Sequence, residues 1–157
     1  MIIAIDFDGT IVEHRFPEIG DPVPYALNFI KALKENGHQI FLWTIRSNYE
    51  VVRFDNGGKV YQRRIESVYL DKACQFLKEN GIELDGYNES PYIVSTSNKQ
   101  FANYYIDDTA LGTPMMKDSS GHYSCVDWKE LGKLMVQKHL ISELQYAKII
   151  HNDYDRQ

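Results

Sequence analysis

The sequence has few of the features that mark secreted or membrane proteins. Its 157 residues include only two cysteines, Cys74 and Cys125, and their spacing is not that of a metal-binding pair. A reduced setting is therefore expected rather than a disulfide scaffold. The first residues do not form a signal peptide, and no stretch approaches the roughly 20 apolar residues that span a bilayer. These absences predict a cytoplasmic protein without a membrane partner.

Positive charge is also scarce. The 17 Lys and Arg residues are outnumbered by 22 Asp and Glu residues, for a formal net charge of -5. Nucleic-acid binding requires a basic surface, so nucleic acid is not expected as a bulk partner. A phosphorylated small molecule is still compatible, because a local group of cations can hold one phosphate. The length fits one domain that spans residues 1–157 and buries a sizeable core.

A buried strand that ends in acid opens the chain. Ile2–Ile5 is a short apolar run of the kind found in strands covered on both faces. Asp6 and Asp8 follow it, with Gly9 and Thr10 behind them. Two carboxylates this close repel each other unless a cation or a shared proton joins them. The alternative interpretation is a β-turn, in which Asp and Gly are common.

Helical and strand patterns then alternate along the chain. Helical spacing is present over residues 25–36, 65–80 and 127–139, and it continues in a C-terminal extension over about 140–151. Apolar strands are predicted over 39–44 and 103–106, and one more short strand within 84–97. This alternation predicts a three-layer, doubly wound, Rossmann-like parallel sheet.

Three segments are predicted to lie outside the helices and strands of that sheet. They are a flap over about 11–20, a polar loop over about 46–64, and a loop over 110–124 with a hairpin turn at 118–121.

Asp107 and Asp108 end a second strand in the same way as Asp6 and Asp8 end the first. If the two strands are neighbours, these carboxylates meet at the carboxyl edge of the sheet, where ligands of such sheets bind. An all-oxygen site of this kind suits Mg²⁺. The alternative is that Asp107 and Asp108 cap a helix or form a turn.

Two further features suit phosphate chemistry. Thr44 ends the second predicted strand, where its hydroxyl and the backbone N–H groups of Ile45 and Arg46 can meet phosphate oxygens. The Arg46 guanidinium can grip a phosphate with two hydrogen bonds, and Lys99 can neutralise charge. Each residue also has a simpler interpretation: Thr44 caps a strand end, and Arg46 and Lys99 are solvated surface residues.

Together these segments resemble the four motifs of the haloacid-dehalogenase-like (HAD) hydrolases. The motifs stand as Asp6-Phe7-Asp8-Gly9-Thr10, Leu42-Trp43-Thr44, Asn98-Lys99-Gln100 and Tyr104-Tyr105-Ile106-Asp107-Asp108. Their order and spacing fit the family from Met1 to about Trp128. The resemblance implies a HAD-like core and a Mg²⁺-dependent phosphatase. Dehalogenases of the family generally lack the second acid, so Asp8 favours phosphoryl chemistry.

The resemblance also implies the role of each acid. Asp6 is the nucleophile that forms an aspartyl-phosphate, and Asp8 is the general acid and base. The metal is bound by Asp6, by the backbone carbonyl of Asp8 and by one acid of the fourth motif. Asp108 aligns with the metal-binding aspartate of that motif, and Asp107 is assigned an orienting role beside it.

The spacing of the motifs leaves no room for the cap domain that covers the site in many family members. An open site suits an exposed phosphate on a larger substrate, or a small phosphorylated molecule enclosed by loops or by a homo-oligomer. The polar loop, with Arg53, Lys59, Arg63 and Arg64, is a candidate cover. His14 and Arg15 in the flap are interpreted as solvated residues.

Two other classes of protein remain as alternatives. One is a phospho-acceptor signalling module like a bacterial receiver, which also has an acidic pocket, a threonine and a lysine. A receiver carries its acceptor aspartate at the end of a later strand, whereas here the comparable strand ends in Thr44. The other is a catalytically idle binding protein on the same fold.

Overall fold

A computed structural model of the chain describes residues 1–56, 59–90 and 99–152. It contains eight strands, which are β1 Ile2–Ile5, β2 Gln39–Leu42, β3 Tyr49–Asn56, β4 Lys59–Glu66, β5 Gly86–Tyr87, β6 Tyr104–Ile106, β7 Met115–Lys117 and β8 Ser124–Val126. The helices are α1 Ala26–Glu35, α2 Tyr69–Glu79, α3 Trp128–Gln137 and α4 Glu143–Asn152. Among the described residues, no helix combines the length and the apolar character needed to cross a bilayer.

Four of the strands form a parallel sheet in the order β5-β2-β1-β6. The chain moves outward from β1 through β2 to β5, and it then returns to place β6 on the other side of β1. The prediction of a parallel α/β sheet with the first strand at its centre is confirmed. The direction of winding reverses between β1 and β6, and the carboxyl ends of two such strands border a crevice.

The register of the sheet decides which residues share that crevice. Ile5 of β1 lies between Leu42 of β2 and Ile106 of β6. The backbone N–H of Asp6 donates to the Ile106 carbonyl at 2.9 Å, which extends the β1–β6 pairing by one residue. Asp6 and the residue after Ile106 are therefore neighbours at the sheet edge.

One hydrophobic core supports the sheet. All four residues of β1 are buried, and α1, α2 and α3 each contribute buried apolar side chains to the same cluster. Trp128, at the start of α3, is fully buried, stacks on Phe29 of α1, and donates from Nε1 to the Thr10 carbonyl at 2.7 Å. The loop after β1, which carries the first motif, is thereby fixed to the core.

The α3 helix begins as its sequence predicts. In the sequence, Asp127 followed three residues later by Glu130 is a pattern that predicts a helix start. Asp127 accepts a hydrogen bond from the Glu130 backbone N–H at 3.0 Å, so Asp127 is the N-terminal cap, while its own N–H donates to the Pro114 carbonyl at 2.8 Å. The C-terminal extension forms α4, which packs on α1 and α3 and brings Tyr146 within 6.0 Å of the Phe29 ring. This extension therefore belongs to the body of the domain.

The predicted polar loop over 46–64 is wrong. Its residues form an antiparallel hairpin, in which Tyr49–Asn56 pairs with Lys59–Glu66. The predicted helix over 65–80 consequently begins only at Tyr69. The hairpin is held by hydrogen bonds between its two strands, and the spacing of apolar residues along one segment does not predict such pairing. The sequence Asn56-Gly57-Gly58 is typical of a turn, and its two glycines lie outside the described residues.

A second hairpin replaces the loop predicted over 110–124. Its strands β7 and β8 pair around residues 118–121, and the Gly121 N–H donates to the Asp118 carbonyl at 3.0 Å, as expected for the predicted turn. Glu13 of the flap accepts from the backbone N–H and the hydroxyl of Ser119, both at 2.7 Å. The short strand predicted within 84–97 is β5, and residues 91–97 of that range lie outside the described chain.

We expect the β3–β4 hairpin to be dispensable for folding. Its exposed apolar side chains include Tyr49, Val51, Val52 and Ile65, at 36–59% exposure. Its two ends meet where the Ser67 N–H donates to the Asn48 carbonyl at 2.8 Å, so an Asn-Gly turn can replace residues 49–66. Thermal unfolding should shift by no more than about 2–4 °C, the equivalent of about 1 kcal/mol for a domain of this size. A loss of cooperative unfolding would contradict this expectation.

Candidate active site

Three carboxylates meet at the carboxyl ends of β1 and β6. One oxygen from each of Asp6, Asp107 and Asp108 lies within 4.8 Å of the other two, and all three residues are partly buried. Parallel pairing places Asp6 beside Asp107, and the turn after β6 brings Asp108 to the same place. The predicted convergence of acids from the two strands is therefore present in the structure.

The surroundings of Asp6 disfavour the charged form of its carboxyl group. Burial raises the pKa of Asp6 to about 7, against a hydrogen bond from the Phe7 backbone N–H that lowers it. The carboxylates of Asp107, Asp108 and Asp8 also contribute to this rise of the pKa. A cation in the cluster would relieve both the burial of charge and the repulsion.

The two acids after β6 are oriented by different neighbours. Asp107 Oδ1 accepts from the backbone N–H and the hydroxyl of Thr109, at 2.7 and 2.6 Å. The Asp108 backbone N–H donates to the hydroxyl of Thr10 at 3.0 Å, and Thr10 is fully buried. The motif threonine thus joins the loop after β1 to the end of β6.

His14 reaches the cluster from the flap. Its Nε2 lies 2.9 Å from Asp108 Oδ2, so His14 contacts the cluster, while its side chain is 38% exposed as expected of a flap residue. Gly9 makes room for this contact: a Cβ there would lie 2.2 Å from His14 Nε2, and Gly9 has a φ of +72°. The sequence offers only the nearness of His14 to the first motif as a signal.

Asp8 lies apart from the acid cluster and is held by Arg46. The guanidinium donates from Nε to Asp8 Oδ2 at 2.6 Å and from Nη2 to Asp8 Oδ1 at 2.7 Å. Arg46 is 1% exposed, so the alternative of a solvated surface arginine is excluded. The predicted grip of Arg46 on a substrate phosphate does not match its position in this structure, because the carboxylate of Asp8 occupies that grip. The predicted metal contact of Asp8, through its backbone carbonyl, stays a prediction.

Thr44 lies in a loop that Asn88 shapes from the end of β5. The Thr44 N–H donates to Asn88 Oδ1 at 2.9 Å, and Asn88 Nδ2 donates to the Arg46 carbonyl at 3.3 Å. The Thr44 hydroxyl accepts from the Arg46 N–H at 3.2 Å. Of the groups predicted to hold phosphate, the Arg46 N–H therefore already has an acceptor, whereas the Thr44 hydroxyl accepts that bond and still has its own hydrogen to donate. Ile45, between the two residues, is 95% exposed. Asn88 is not among the residues that the sequence predicts for this site.

Lys99 follows the second gap in the described chain. Its side chain is exposed, and its Nζ lies 5.9 Å from the centroid of the Tyr105 ring on β6. Asn98, the residue before it in the third motif, lies outside the described residues. The predicted contact of Lys99 with Asp6 and a phosphate stays a prediction.

The donor set of the cluster fits a hard divalent cation. Carboxylate oxygens are the ligands that Mg²⁺ and Ca²⁺ prefer, and the three acids are close enough to share one ion. Mg²⁺ usually keeps several waters and takes one or two carboxylates from the protein. The burial of Asp6 beside two other acids makes neutralisation by a cation favourable.

Sheet order and acid placement define the class of this protein: a mixed α/β domain with a parallel four-stranded sheet, flanked by helices, and an acidic crevice at its switch point. It is similar to the solved structure of a conserved protein coded by a locus of Bacteroides thetaiotaomicron. The two chains are 29% identical, with a TM-score of 0.62 over 88% of this chain and 91% of the other. No family model matches the chain. No curated protein matches it significantly.

The raised pKa of Asp6 predicts a pH-dependent stability of the metal-free protein. From about pH 4 to pH 7 the folded state keeps a proton that the unfolded state loses, so stability falls as the pH rises through this range. Asp6→Asn removes this loss because the amide carries no charge. We expect the melting temperature of Asp6→Asn to exceed that of the wild type most above about pH 7 and least near pH 4. A pH-independent difference between the two melting curves would contradict the assignment.

Proposed function

We propose that the chain is a Mg²⁺-dependent phosphatase that hydrolyses phosphate monoesters through an aspartyl-phosphate on Asp6. The observation that carries the proposal is the cluster of Asp6, Asp107 and Asp108 at the switch point of the sheet. The order of the four motifs supports the same conclusion, and so does the parallel sheet with β1 between β2 and β6. The fold proposed with it is a HAD-like, three-layer core without a cap domain.

In the first step, an oxygen of Asp6 attacks the phosphorus of the ester. The bond between phosphorus and the leaving oxygen breaks, and that oxygen takes a proton from Asp8. Asp6 suits this role because it stands directly at the end of a rigid, fully buried strand, with its backbone fixed by the bond to Ile106. A nucleophile on such an element is held in one position relative to the substrate.

In the second step, a water molecule attacks the phosphorus of the aspartyl-phosphate. Its proton passes to the carboxylate of Asp8, the bond between phosphorus and Asp6 breaks, and inorganic phosphate leaves. Splitting hydrolysis in two replaces one difficult displacement with two easier ones. Asp8 lies two residues beyond Asp6 and outside the acid cluster, so its carboxylate is separate from the group that reacts with phosphorus.

Mg²⁺ would be held by Asp6, by Asp108 and by the carbonyl of Asp8, with Asp107 beside them. It would neutralise the repulsion between the anionic nucleophile and an anionic substrate. Burial first, and then the neighbouring carboxylates, raise the pKa of Asp6 to about 7 in the metal-free protein, so a cation beside Asp6 would also favour the ionised nucleophile. Lys99 and the Thr44 loop are proposed to hold the transferred phosphate.

The substrate is proposed to be a phosphorylated small molecule or an exposed phosphate on a larger one. The segments before and after Thr44 hold no domain that covers the crevice in the described residues, only the flap and the β3–β4 hairpin. A homo-oligomer is the proposed alternative means of enclosing a small substrate. The localisation proposed for this enzyme is cytoplasmic.

Two other functions would give different results in an assay of phosphate release. A receiver-like module would keep acid-labile phosphate on Asp6 and turn over little. An idle binding protein would neither release nor keep phosphate.

The proposal predicts phosphatase activity that EDTA removes and added Mg²⁺ restores. Asp6→Asn should abolish turnover of nitrophenyl phosphate while the far-UV circular dichroism stays unchanged, because the amide is not a competent nucleophile. The matched control is Asp85→Asn, which changes a carboxylate that pairs with Lys34 at 2.7 Å, away from the crevice. Activity in Asp6→Asn above a trace would show that another group is the nucleophile.

A further prediction separates the two acids after β6. Asp108 is assigned as the direct ligand, so Asp108→Asn should weaken Mg²⁺ activation severely. Asp107 accepts from Thr109 and is assigned an orienting role, whose loss typically costs about 10–100-fold in affinity or activity. Titrating the activity of both variants with Mg²⁺ measures the difference. If Asp107→Asn needs far more Mg²⁺ than Asp108→Asn, the two roles are exchanged.

A further inference from the structure

Arg46 occupies the most enclosed position of any arginine or lysine among the described residues. Its side chain is 0% exposed, whereas that of Asp8, its ion-pair partner, is 13% exposed. Four of its five N–H groups have acceptors: two point to the carboxylate of Asp8, and two to the carbonyls of Pro17 and Glu18, at 3.1 and 2.7 Å. Arg46 therefore joins Asp8 to the tip of the flap.

Two aromatic rings also lie close to the guanidinium. Its Cζ lies 5.1 Å from the centroid of the Phe7 ring and 5.2 Å from that of Phe16. Phe7 follows the nucleophile in the first motif, and Phe16 belongs to the flap. A guanidinium with two aromatic rings beside it and acceptors for four of its N–H groups has little room for a further ligand.

Moving Arg46 to a substrate phosphate would carry a penalty. The carboxylate of Asp8 would lose both of its guanidinium hydrogen bonds while staying largely buried, and the Pro17 and Glu18 carbonyls would lose a donor. Breaking one side of a buried ion pair is strongly unfavourable, because it leaves the other charge without a partner. The observed contacts favour a different role.

We propose that Arg46 is a positioning residue that fixes the carboxylate of Asp8 and holds the flap, residues 11–20, over the site. It acts on the reaction through Asp8 and does not bind the substrate phosphate. The bidentate contact sets the plane of the carboxylate, and the two flap carbonyls tie the same guanidinium to the cover of the crevice. The kinetic part of this inference rests on the proposed phosphatase function, and the tether to the flap does not.

The kinetic test is a double-mutant cycle of Arg46→Lys and Asp8→Asn, with an alkyl phosphate and nitrophenyl phosphate as substrates in excess Mg²⁺. Lysine keeps the charge but cannot donate in a planar fork. We expect kcat of Arg46→Lys on the alkyl phosphate to fall at least about tenfold. The fall should not exceed the roughly 10²–10⁴-fold that general acid–base catalysis supplies. The loss should be smaller on nitrophenyl phosphate, whose leaving group is a weak base, and KM should change little.

The double variant decides between the two roles of Arg46. If Arg46 acts through Asp8, Arg46→Lys should lower kcat by less than about twofold in the Asp8→Asn background. If Arg46 binds phosphate, KM should rise on both substrates by the same factor, with or without Asp8. This second result would overturn the inference. Arg15→Lys is the matched control, since it changes an exposed flap arginine paired with Asp21 at 3.0 Å.

The tether is tested without any activity. Hydrogen exchange in the flap peptide should be faster in Arg46→Lys than in the wild type, while exchange in the β2 peptide stays the same and Arg15→Lys matches the wild type. Unchanged flap exchange in a folded Arg46→Lys would overturn the tether. If Arg46→Lys does not fold, the milder variant Phe16→Leu, which removes a ring 5.2 Å from the guanidinium carbon, should give the faster flap exchange instead, and no change in that variant would overturn the tether. A wild type without phosphatase activity would refute the proposed function alone.

Discussion

The parallel pairing of β1 with β6 is the constraint on which the site depends. Ile5 pairs with Ile106, so the first residue beyond each strand is an aspartate, and both emerge at the same edge. Both strands carry apolar residues that the core requires, which prevents a shift of register. The cluster is thus a consequence of two neighbouring hydrophobic strands that end at the same edge of the sheet.

Burial beside like charges gives that edge its chemistry. Asp6 stands where the core ends, and burial together with three neighbouring carboxylates raises its pKa to about 7. Structural ion-pair networks can perturb a pKa as well, but here the groups around Asp6 share its charge. A site of this kind is unfavourable unless a cation enters it, and the pattern is common at functional sites.

Much of this architecture is readable in the sequence because it rests on local patterns. Apolar runs that stop at acid predicted β1 and β6, and Asp127 followed by Glu130 predicted the start of α3. The β3–β4 hairpin was missed because its strands pair with each other, and the strand side chains whose burial the structure describes, at 49–53 and 62–66, are largely exposed. Residues 65 and 66 belong to β4, so the helix predicted from residue 65 begins only at Tyr69.

The residues around the acids were harder to predict. His14 was interpreted as a solvated residue, and Arg46 as a phosphate ligand or a solvated surface arginine, since a charged side chain in a polar segment is usually solvated. Their positions follow from the path of the flap, which returns over the site and supplies the Pro17 and Glu18 carbonyls. Nothing in the spacing from His14 to Asp108 reveals a contact across 94 residues.

The sequence by itself determined the parallel strands, the helices that cover them and the acids at their ends, because strand burial and helix periodicity are local properties of the chain. Only the tertiary structure decided which acids meet and which are paired. Asp107 and Asp108 join Asp6, whereas Asp8 turns away to Arg46. The physical reason is that a carboxylate's partners depend on the segments folded over it, and those segments are distant in sequence.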